Sequence, residues 1–548
     1  MKRKSTVSQC ILFYLVIYLF DHATTVLCAN NTLDIDLPQG KIKGSFSWLE
    51  GQRKFLGIPY ASVTNRFEEP GSPPSWNGTF NANRGNIKCN QYFSALRKPI
   101  GQEDCLVLNI YTPPSVDKPL PVMVFMHGGG FFTGGNANLI YNPKYFVKEN
   151  VIFVAINYRL GAFGFLCLGL NEAPGNVGLQ DQIAALKWIQ SNIAYFGGNP
   201  DSVTLIGESV GGFSINHLIL SNVADGLFHR AIIQSGSIMM PQAFIYHPLE
   251  SASKVASSLG YNTSDPHELL KIFKNSTADD IVRASYFDQT NDVFAPYMFR
   301  PCIETATTNR TPLITAAPTE LIKESGLNIS VIIGYNNREG IYWAANYDSF
   351  QTLEKIKKNF DRIIPNYLQF ENDSDKTSFT ENIFQMYFEN TTAINGLIEY
   401  FSDSLIGYPI TVMSEAFLKN PNRSVYNYYF KYDSARNLNK FLTRLRFTPG
   451  ACHGDELFYM FDPAIYAVLP TSSKDMRMIK TMTKLWTTFA NTGEPSGADT
   501  SWTPSGEQLN LLEIDTNTTM ITLPNKDRID FWKNTFEKYG RGKNVSEK

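Results

Sequence analysis

The sequence predicts an α/β fold: a central, mostly parallel twisted sheet flanked by helices, with large helical insertions. Three observations carry that prediction. Apolar runs of three to five residues, rich in β-branched side chains, recur along the chain in the manner of strands buried on both faces. A segment of helical periodicity separates two of them, which is the alternation of a crossover connection. Two long stretches later in the chain lose the strand pattern and become helical. The composition, 43% hydrophobic and 18% charged, supplies a large core and excludes a disordered or fibrous chain. A net charge of −2 leaves no positive excess for a phosphate backbone or an anionic membrane, so a nucleic-acid partner is not expected.

Residues 1–28 read as a secretory signal peptide. Lys2, Arg3 and Lys4 precede the apolar run Cys10 to Phe20, whose eleven residues are too few to span a bilayer. The last residues, Phe536 to Lys548, carry neither a hydrophobic tail nor a retention tetrapeptide, so a secreted, extracellular protein with no stable membrane anchor is expected. Eleven Asn-x-Ser/Thr sequons, at Asn30, Asn77, Asn262, Asn275, Asn309, Asn328, Asn372, Asn390, Asn422, Asn517 and Asn544, suit that compartment. Beyond the signal and its edge lie Cys89, Cys105, Cys167, Cys302 and Cys452, an odd number that leaves at least one unpaired. Cys89 and Cys105 are the favoured pair, because they enclose 15 polar and turn-forming residues. Closing that loop would contribute about 3 kcal/mol.

The runs read as strands are Val122 to Met126, Val151 to Ala155, Val203 to Ile206, Ala231 to Ile233 and Val331 to Ile333. Between the second and third, Leu179 to Tyr195 places Leu179, Ile183, Leu186, Ile189 and Ile193 on one helical face. Gly197-Gly198-Asn199-Pro200 stops it. From about residue 245 to 325 and again from 345 to 430, helical and sequon-bearing segments such as Leu353 to Lys358 and Asn382 to Phe388 read as insertions capping the sheet. No repeat, low-complexity tract or flexible linker divides the chain.

The strand Val203 to Ile206 runs into Gly207-Glu208-Ser209-Val210-Gly211 and then into a helical stretch. That is the G-x-S-x-G pattern of a nucleophile elbow, in which glycines two before and two after the serine allow a strained turn. A second motif, His127-Gly128-Gly129-Gly130-Phe131, follows the strand that ends at Met126. Successive glycines let backbone N–H groups converge on one point, which the negative oxygen of a tetrahedral intermediate requires. Gly129 and Gly130, with the N–H of Val210, would form such an oxyanion hole. Neither glycine run has the Lys-Ser/Thr of a phosphate-binding loop or the spacing of a dinucleotide-binding one. The absence of HExxH and of clustered Cys or His gives no metal ligands, and no cofactor is called for.

The general base follows from chain order, which for this elbow is Ser, then acid, then His. Of seven histidines, only His453, in Gly450-Ala-Cys-His-Gly-Asp-Glu456, lies far enough after Ser209 to leave room for an acid-bearing strand between. An unperturbed imidazole there would titrate at about 6.5, so activity is expected to rise near neutrality. The acid belongs on a loop after an intervening strand, and Glu339, after Val331 to Ile333, has that place.

With these elements the chain resembles the type-B carboxylesterases, the α/β-hydrolase family that includes secreted insect carboxylesterases, juvenile hormone esterases, cholinesterases and bile-salt-activated lipases. The resemblance covers nearly the whole mature chain. It rests on Arg66-Phe67, Glu103 to Ile110, the His127 glycine run, Asn157-Tyr-Arg159, Asp181-Gln182, the elbow, Gln234-Ser-Gly-Ser237, Asn337-Arg-Glu-Gly340 and the His453 segment. It implies the triad Ser209, Glu339 and His453, the hole at Gly129, Gly130 and Val210, and a Cys89–Cys105 disulfide. It also implies a small-molecule ester substrate and, since the parts converge from four distant regions, one α/β-hydrolase domain over 29–548. Oligomeric state is not encoded.

Two positions depart from the family pattern. Val210 stands where a smaller residue is usual, and its branched side chain would crowd the acyl group. Gln242 falls where many members have an acyl-pocket Trp, giving a more polar wall to the substrate pocket. Glu208, also in that pocket, replaces the Gln typical of juvenile hormone esterases. Between Cys89 and Cys105 there are Tyr92 and Phe93 but no Trp to stack on a choline, so a choline ester is not the expected substrate. The alternative of a noncatalytic adhesion member is countered by the survival of all three triad residues.

Overall fold

A strand buried on both faces must be apolar at every position, and the runs read from the sequence form the middle of the observed sheet. The computed structural model describes residues 32–541 except 222, 287–297, 305–310, 325, 347–351, 468–470 and 498–499. The signal segment and the sequons at Asn30, Asn309 and Asn544 lie outside the described residues.

Twelve strands follow one another across the main sheet. They are β1 (Thr32–Leu37), β2 (Gly40–Ser47), β3 (Gln52–Pro59), β4 (Val107–Thr112), β5 (Leu120–Met126), β6 (Ile152–Ile156), β7 (Gly198–Glu208), β8 (Arg230–Gln234), β9 (Ser330–Asn336), β10 (Val425–Phe430), β11 (Leu511–Ile514) and β12 (Thr518–Ile521). Their spatial order is β1-β2-β3-β4-β6-β5-β7-β8-β9-β10-β11-β12, with the short strand Thr79–Asn81 pairing off β2. From β6 to β11 every pairing is parallel; β1 to β4, the junction of β4 with β6, and β12 are antiparallel. In β5, Val122, Val124 and Met126 face one core and Met123 and Phe125 the other, the period of two that buries both faces.

Helix α1 (Val177–Asn192) fills the crossover before β7, and its predicted face is buried: Leu179, Ile183, Leu186 and Ile189 are each at most 2% exposed. A tight turn, Ile193–Phe196, follows, and Gly197 caps it in a left-handed conformation. Helix α2 (Val210–Leu220) is buried along its whole length and packs against β7, β8 and β5.

Helices do occupy the regions read as insertions, including Pro248–Ser258, Pro266–Asn275, Asp373–Phe388 and Ala393–Phe401. One boundary requires correction. The second insertion ends before β10, which lies inside the stretch 345–430 read as helical. Its sequence, Val-Tyr-Asn-Tyr-Tyr-Phe, hides a fully buried strand because hydroxyls and an amide interrupt the apolar run. The antiparallel strands at the amino end were also not read, since β2 is half polar where one face meets solvent.

Candidate active site

The serine turn is built by close backbone approach. Ser209 has φ 56° and ψ −124°, a conformation that costs a non-glycine residue about 1–3 kcal/mol and persists only where neighbours enforce it. Here they do. A Cβ on Gly207 would lie 2.5 Å from the Gly211 carbonyl carbon, and one on Gly211 would strike the Met126 carbonyl. Gly236 packs against the Ser209 carbonyl, and the Ser209 N–H donates to Gln234 O at 2.8 Å. The serine therefore stands between the carboxyl end of β7 and the first turn of α2, at the edge where parallel strands of such sheets gather ligands.

The glycine run leaves the neighbouring strand β5 at that same edge. A Cβ on Gly128 would lie 3.2 Å from Ser209 Cβ, so the run touches the serine. Gly129 and Gly130 have φ of 115° and 66°, which turn the chain around this point. Among the described residues, the amides of Gly129, Gly130 and Val210 donate to no protein group. His127 fixes the start of the run: its ring stacks on Tyr158 at 4.4 Å, its Nδ1 bonds Gly128 O at 2.8 Å, and Tyr158 Oη donates to its carbonyl. Burial lowers the His127 pKa to about 4, so the ring is neutral.

The third segment brings the imidazole. His453 Nδ1 lies 2.7 Å from Glu339 Oε2, and on the other side Nε2 lies 3.2 Å from Glu208 Oε1. Glu339 Oε1 accepts from Ser235 Oγ at 2.5 Å and from the Asn336 N–H at 2.7 Å, so the carboxylate is held in one orientation. Burial alone would lower the imidazole pKa. The Glu208 and Glu339 carboxylates outweigh it and push His453 up to about 9. The neutral-range titration expected of an isolated imidazole is thus corrected upward. Burial raises Glu208 in turn, against the attraction of His453. Glu456 accepts from Asn336 Nδ2 and is raised by burial and by the same two glutamates.

The loop carrying His453 is pinned from several sides. Asn439, in helix α4 (Leu438–Leu442 by chain order, after α3, Ile341–Asn346), donates to His453 O at 2.8 Å. Lys440 Nζ donates to Gly450 O, and the buried Asp455 carboxylate accepts from the Cys452 and Lys440 amides.

The residues singled out in the sequence accordingly fall into two groups. Glu208, Glu339 and His453 are in direct contact, Ser209 and Val210 follow Glu208 in the chain, and the run that holds Gly129 and Gly130 adjoins the serine. Gln242 is buried in the loop after β8, and among the described residues neither its oxygen nor its nitrogen has a hydrogen-bond partner, so no bond joins it to the others. Cys89 and Cys105 are joined, as are Cys167 and Cys302, a second disulfide that the cysteine count could not assign; Cys452 is free and buried. Arg66 and Arg159 hold Glu103 and Asp181 through paired hydrogen bonds, the structural basis of those motifs. Sequence reasoning quoted Ser235 and Glu456 within motifs but gave them no role, and it missed Tyr342 and Trp343, whose rings lie 5.8 Å and 5.0 Å from that of His453. Spacing of three and four from Glu339 at a helix start could have found the last two.

An elbow serine at the carboxyl edge of a mostly parallel sheet, with a carboxylate–imidazole pair delivered from later loops, defines an α/β-hydrolase. The comparisons agree. A family model described as the carboxylesterase family matches residues 31–532. Esterase FE4 of Myzus persicae is 32% identical over 514 residues, 89% of each chain. A juvenile hormone esterase of Tribolium castaneum is 32% identical over 490 residues, 83% of each chain. The crystal structure of juvenile hormone esterase from Manduca sexta, with OTFP covalently attached, aligns with a TM-score of 0.83 at 28% identity, covering 92% of this chain and 100% of that one. The chain belongs to the carboxylesterase family, and it is a carboxylic ester hydrolase.

Proposed function

We propose that this protein is a secreted serine carboxylesterase that cleaves small-molecule esters through an acyl-enzyme on Ser209. The observation that carries the reading is the 2.7 Å contact between Glu339 and His453, assembled beside a strained serine from segments 114 residues apart. His453 Nε2 takes the Ser209 hydroxyl proton as Oγ attacks the carbonyl carbon. The resulting oxyanion accepts from the amides of Gly129, Gly130 and Val210. Collapse breaks the ester bond, and the alcohol leaves with the proton from Nε2. Water, deprotonated at the same nitrogen, then attacks the acyl carbon and releases the acid. Glu339 holds the Nδ1–H tautomer and stabilises the imidazolium.

Export is supported by the two disulfides and by the sequons. All eight sequon asparagines among the described residues are exposed. No helix among the described residues is long and apolar enough to cross a membrane. The test is labelling with an organophosphate. Stoichiometric phosphorylation of Ser209 with loss of nitrophenyl acetate hydrolysis is expected. An adduct elsewhere would sink the triad, and a protein that neither labels nor hydrolyses would be a noncatalytic member. The juvenile hormone esterases among its relatives favour juvenile hormone as a second substrate reading, decided by offering that ester directly.

A further inference from the structure

Glu339 lies in the turn between β9 and α3, and a carboxylate that meets an imidazole at 2.7 Å needs that turn fixed. One helix fixes it from outside. A Cβ on Gly340 would lie 2.1 Å from the Ile398 carbonyl oxygen, so the turn and the helix Ala393–Phe401 are in backbone contact. The Gly340 N–H donates to Ser402 Oγ at 2.9 Å. On the other side of Glu339, Arg338 Nη2 donates to Asn395 Oδ1 at 3.2 Å and Arg338 Nη1 donates to Glu399 Oε1. Asn395, Glu399 and Ser402 follow one another at spacings of four and three, so they form one stripe along that helix and the π-helical turn Ser402–Gly407 that continues it. The residues before and after Glu339 are held by a single surface.

Arg338 also reaches the loop of the base. Its amide donates to Ala451 O at 3.0 Å, and a Cβ on Gly450 would lie 2.4 Å from Arg338 Cγ. The arginine therefore stands between the helix and the segment that carries His453. Glu399 has a second cationic partner, since its Oε2 accepts from Arg528 Nη2 at 2.6 Å, and Arg528 Nε pairs with the buried Asp403 at 2.6 Å. An ion pair whose members are 21% and 23% exposed, as Arg338 and Glu399 are, contributes little to the stability of the whole fold. What distinguishes this one is its place, one residue from the acid.

We propose that Asn395, Glu399 and Ser402 are positioning residues: by gripping Arg338 and Gly340 they set the distance from the Glu339 carboxylate to His453. Ser235 and the Asn336 amide orient the carboxylate, and the helical stripe fixes the backbone from which it projects. Glu399 carries the largest share, because its bond to the guanidinium joins two charges. None of the three touches the reacting atoms. This inference rests on the Ser209 reading.

The experiment uses the full-length protein and nitrophenyl acetate, with each rate divided by the number of sites that an organophosphate titrates. Glu399→Ala should lower kcat per site about tenfold with KM nearly unchanged, the cost of a small misplacement in the catalytic geometry. The acid limb of kcat/KM should also move to lower pH by about half a unit to one unit, because a carboxylate withdrawn from His453 raises the imidazole less. Combined with Arg338→Met, which already releases the grip, Glu399→Ala should add nothing further. A merely structural role would reduce the number of titrated sites and leave kcat per site and the acid limb in place, which would overturn the proposal. A rise in KM alone, or a full further loss in the Arg338→Met background, would overturn it as well. Should Glu399→Ala fold poorly, Ser402→Ala removes one hydroxyl and leaves every charge in place, and the same two shifts are expected. Absent labelling of the wild type refutes the Ser209 reading, whereas unchanged kcat and limb in a labelled enzyme refute only the role of the stripe.

Discussion

Replacing Glu208 by Gln should move the acid limb of kcat/KM to lower pH by about 1–2 units. The perturbation removes one carboxylate 3.2 Å from His453 Nε2, in a site where both side chains are at least nine-tenths buried. At that separation an effective dielectric constant of about 20 gives an attraction of about 5 kcal/mol, an upper bound. Each pH unit corresponds to about 1.36 kcal/mol, and burial of the imidazole works in the opposite direction. Glu339 remains in place on the other nitrogen, so part of the elevation survives the substitution. On the proposed mechanism the sign follows from the base role. His453 must be neutral to accept the serine proton, and with its pKa raised to about 9 that form is lost as pH falls through a value well above 6.5. Without Glu208 the neutral form persists to lower pH. Initial rates with nitrophenyl acetate from about pH 5 to about pH 10, at several substrate concentrations, give the limb directly. An acid limb that stays in place or shifts upward would refute the coupling of Glu208 to His453.

Three other substitutions test separate parts of the structure. Ser235→Ala removes a hydroxyl donor from the Glu339 carboxylate while the Asn336 amide stays, so kcat should drop about tenfold with KM nearly unchanged; an equal rise in KM would place Ser235 in substrate binding instead. Val210→Ala leaves the backbone N–H in place and should raise kcat/KM more for branched or long acyl esters than for acetate, with a selectivity shift on the order of tenfold measured across an acyl series. The double substitution Cys167→Ser with Cys302→Ser opens a loop whose ends are 135 residues apart, against 16 for Cys89 and Cys105. Loop entropy assigns these about 5 and about 3 kcal/mol, so urea midpoints should fall further for the first pair.

The parts of this enzyme legible in the sequence were those that local backbone chemistry dictates. The Ser209 turn could be found because it needs Gly207 and Gly211, and the Gly129-Gly130 run because its positive-φ bend beside the serine needs glycine. Glu339 and His453 followed from chain order and from the scarcity of histidine. Ser235 was invisible in its role, since a serine acquires one only when β8 and β9 lie side by side and set its hydroxyl on Glu339. The elevated pKa of His453 has the same origin: nothing in Gly-Glu-Ser announces that the Glu208 side chain will meet a residue more than two hundred positions away. The second disulfide was hidden because three remaining cysteines allow three pairings, and only the packing of Cys167 against Cys302 chooses one.

The two glutamates that flank His453 also bear on turnover after the chemistry is finished. Hydrolysis converts a neutral ester into an acid, which ionises once formed. On the Ser209 reading, a nascent carboxylate beside the serine meets Glu208 and Glu339, and like charges at a buried site repel strongly once the imidazole between them has lost its proton. The neutral reactant meets no such repulsion on entry. On that mechanism the interior that strengthens the base also ejects the acid at alkaline pH, where free acids should inhibit weakly and esters already carrying a carboxylate should react poorly.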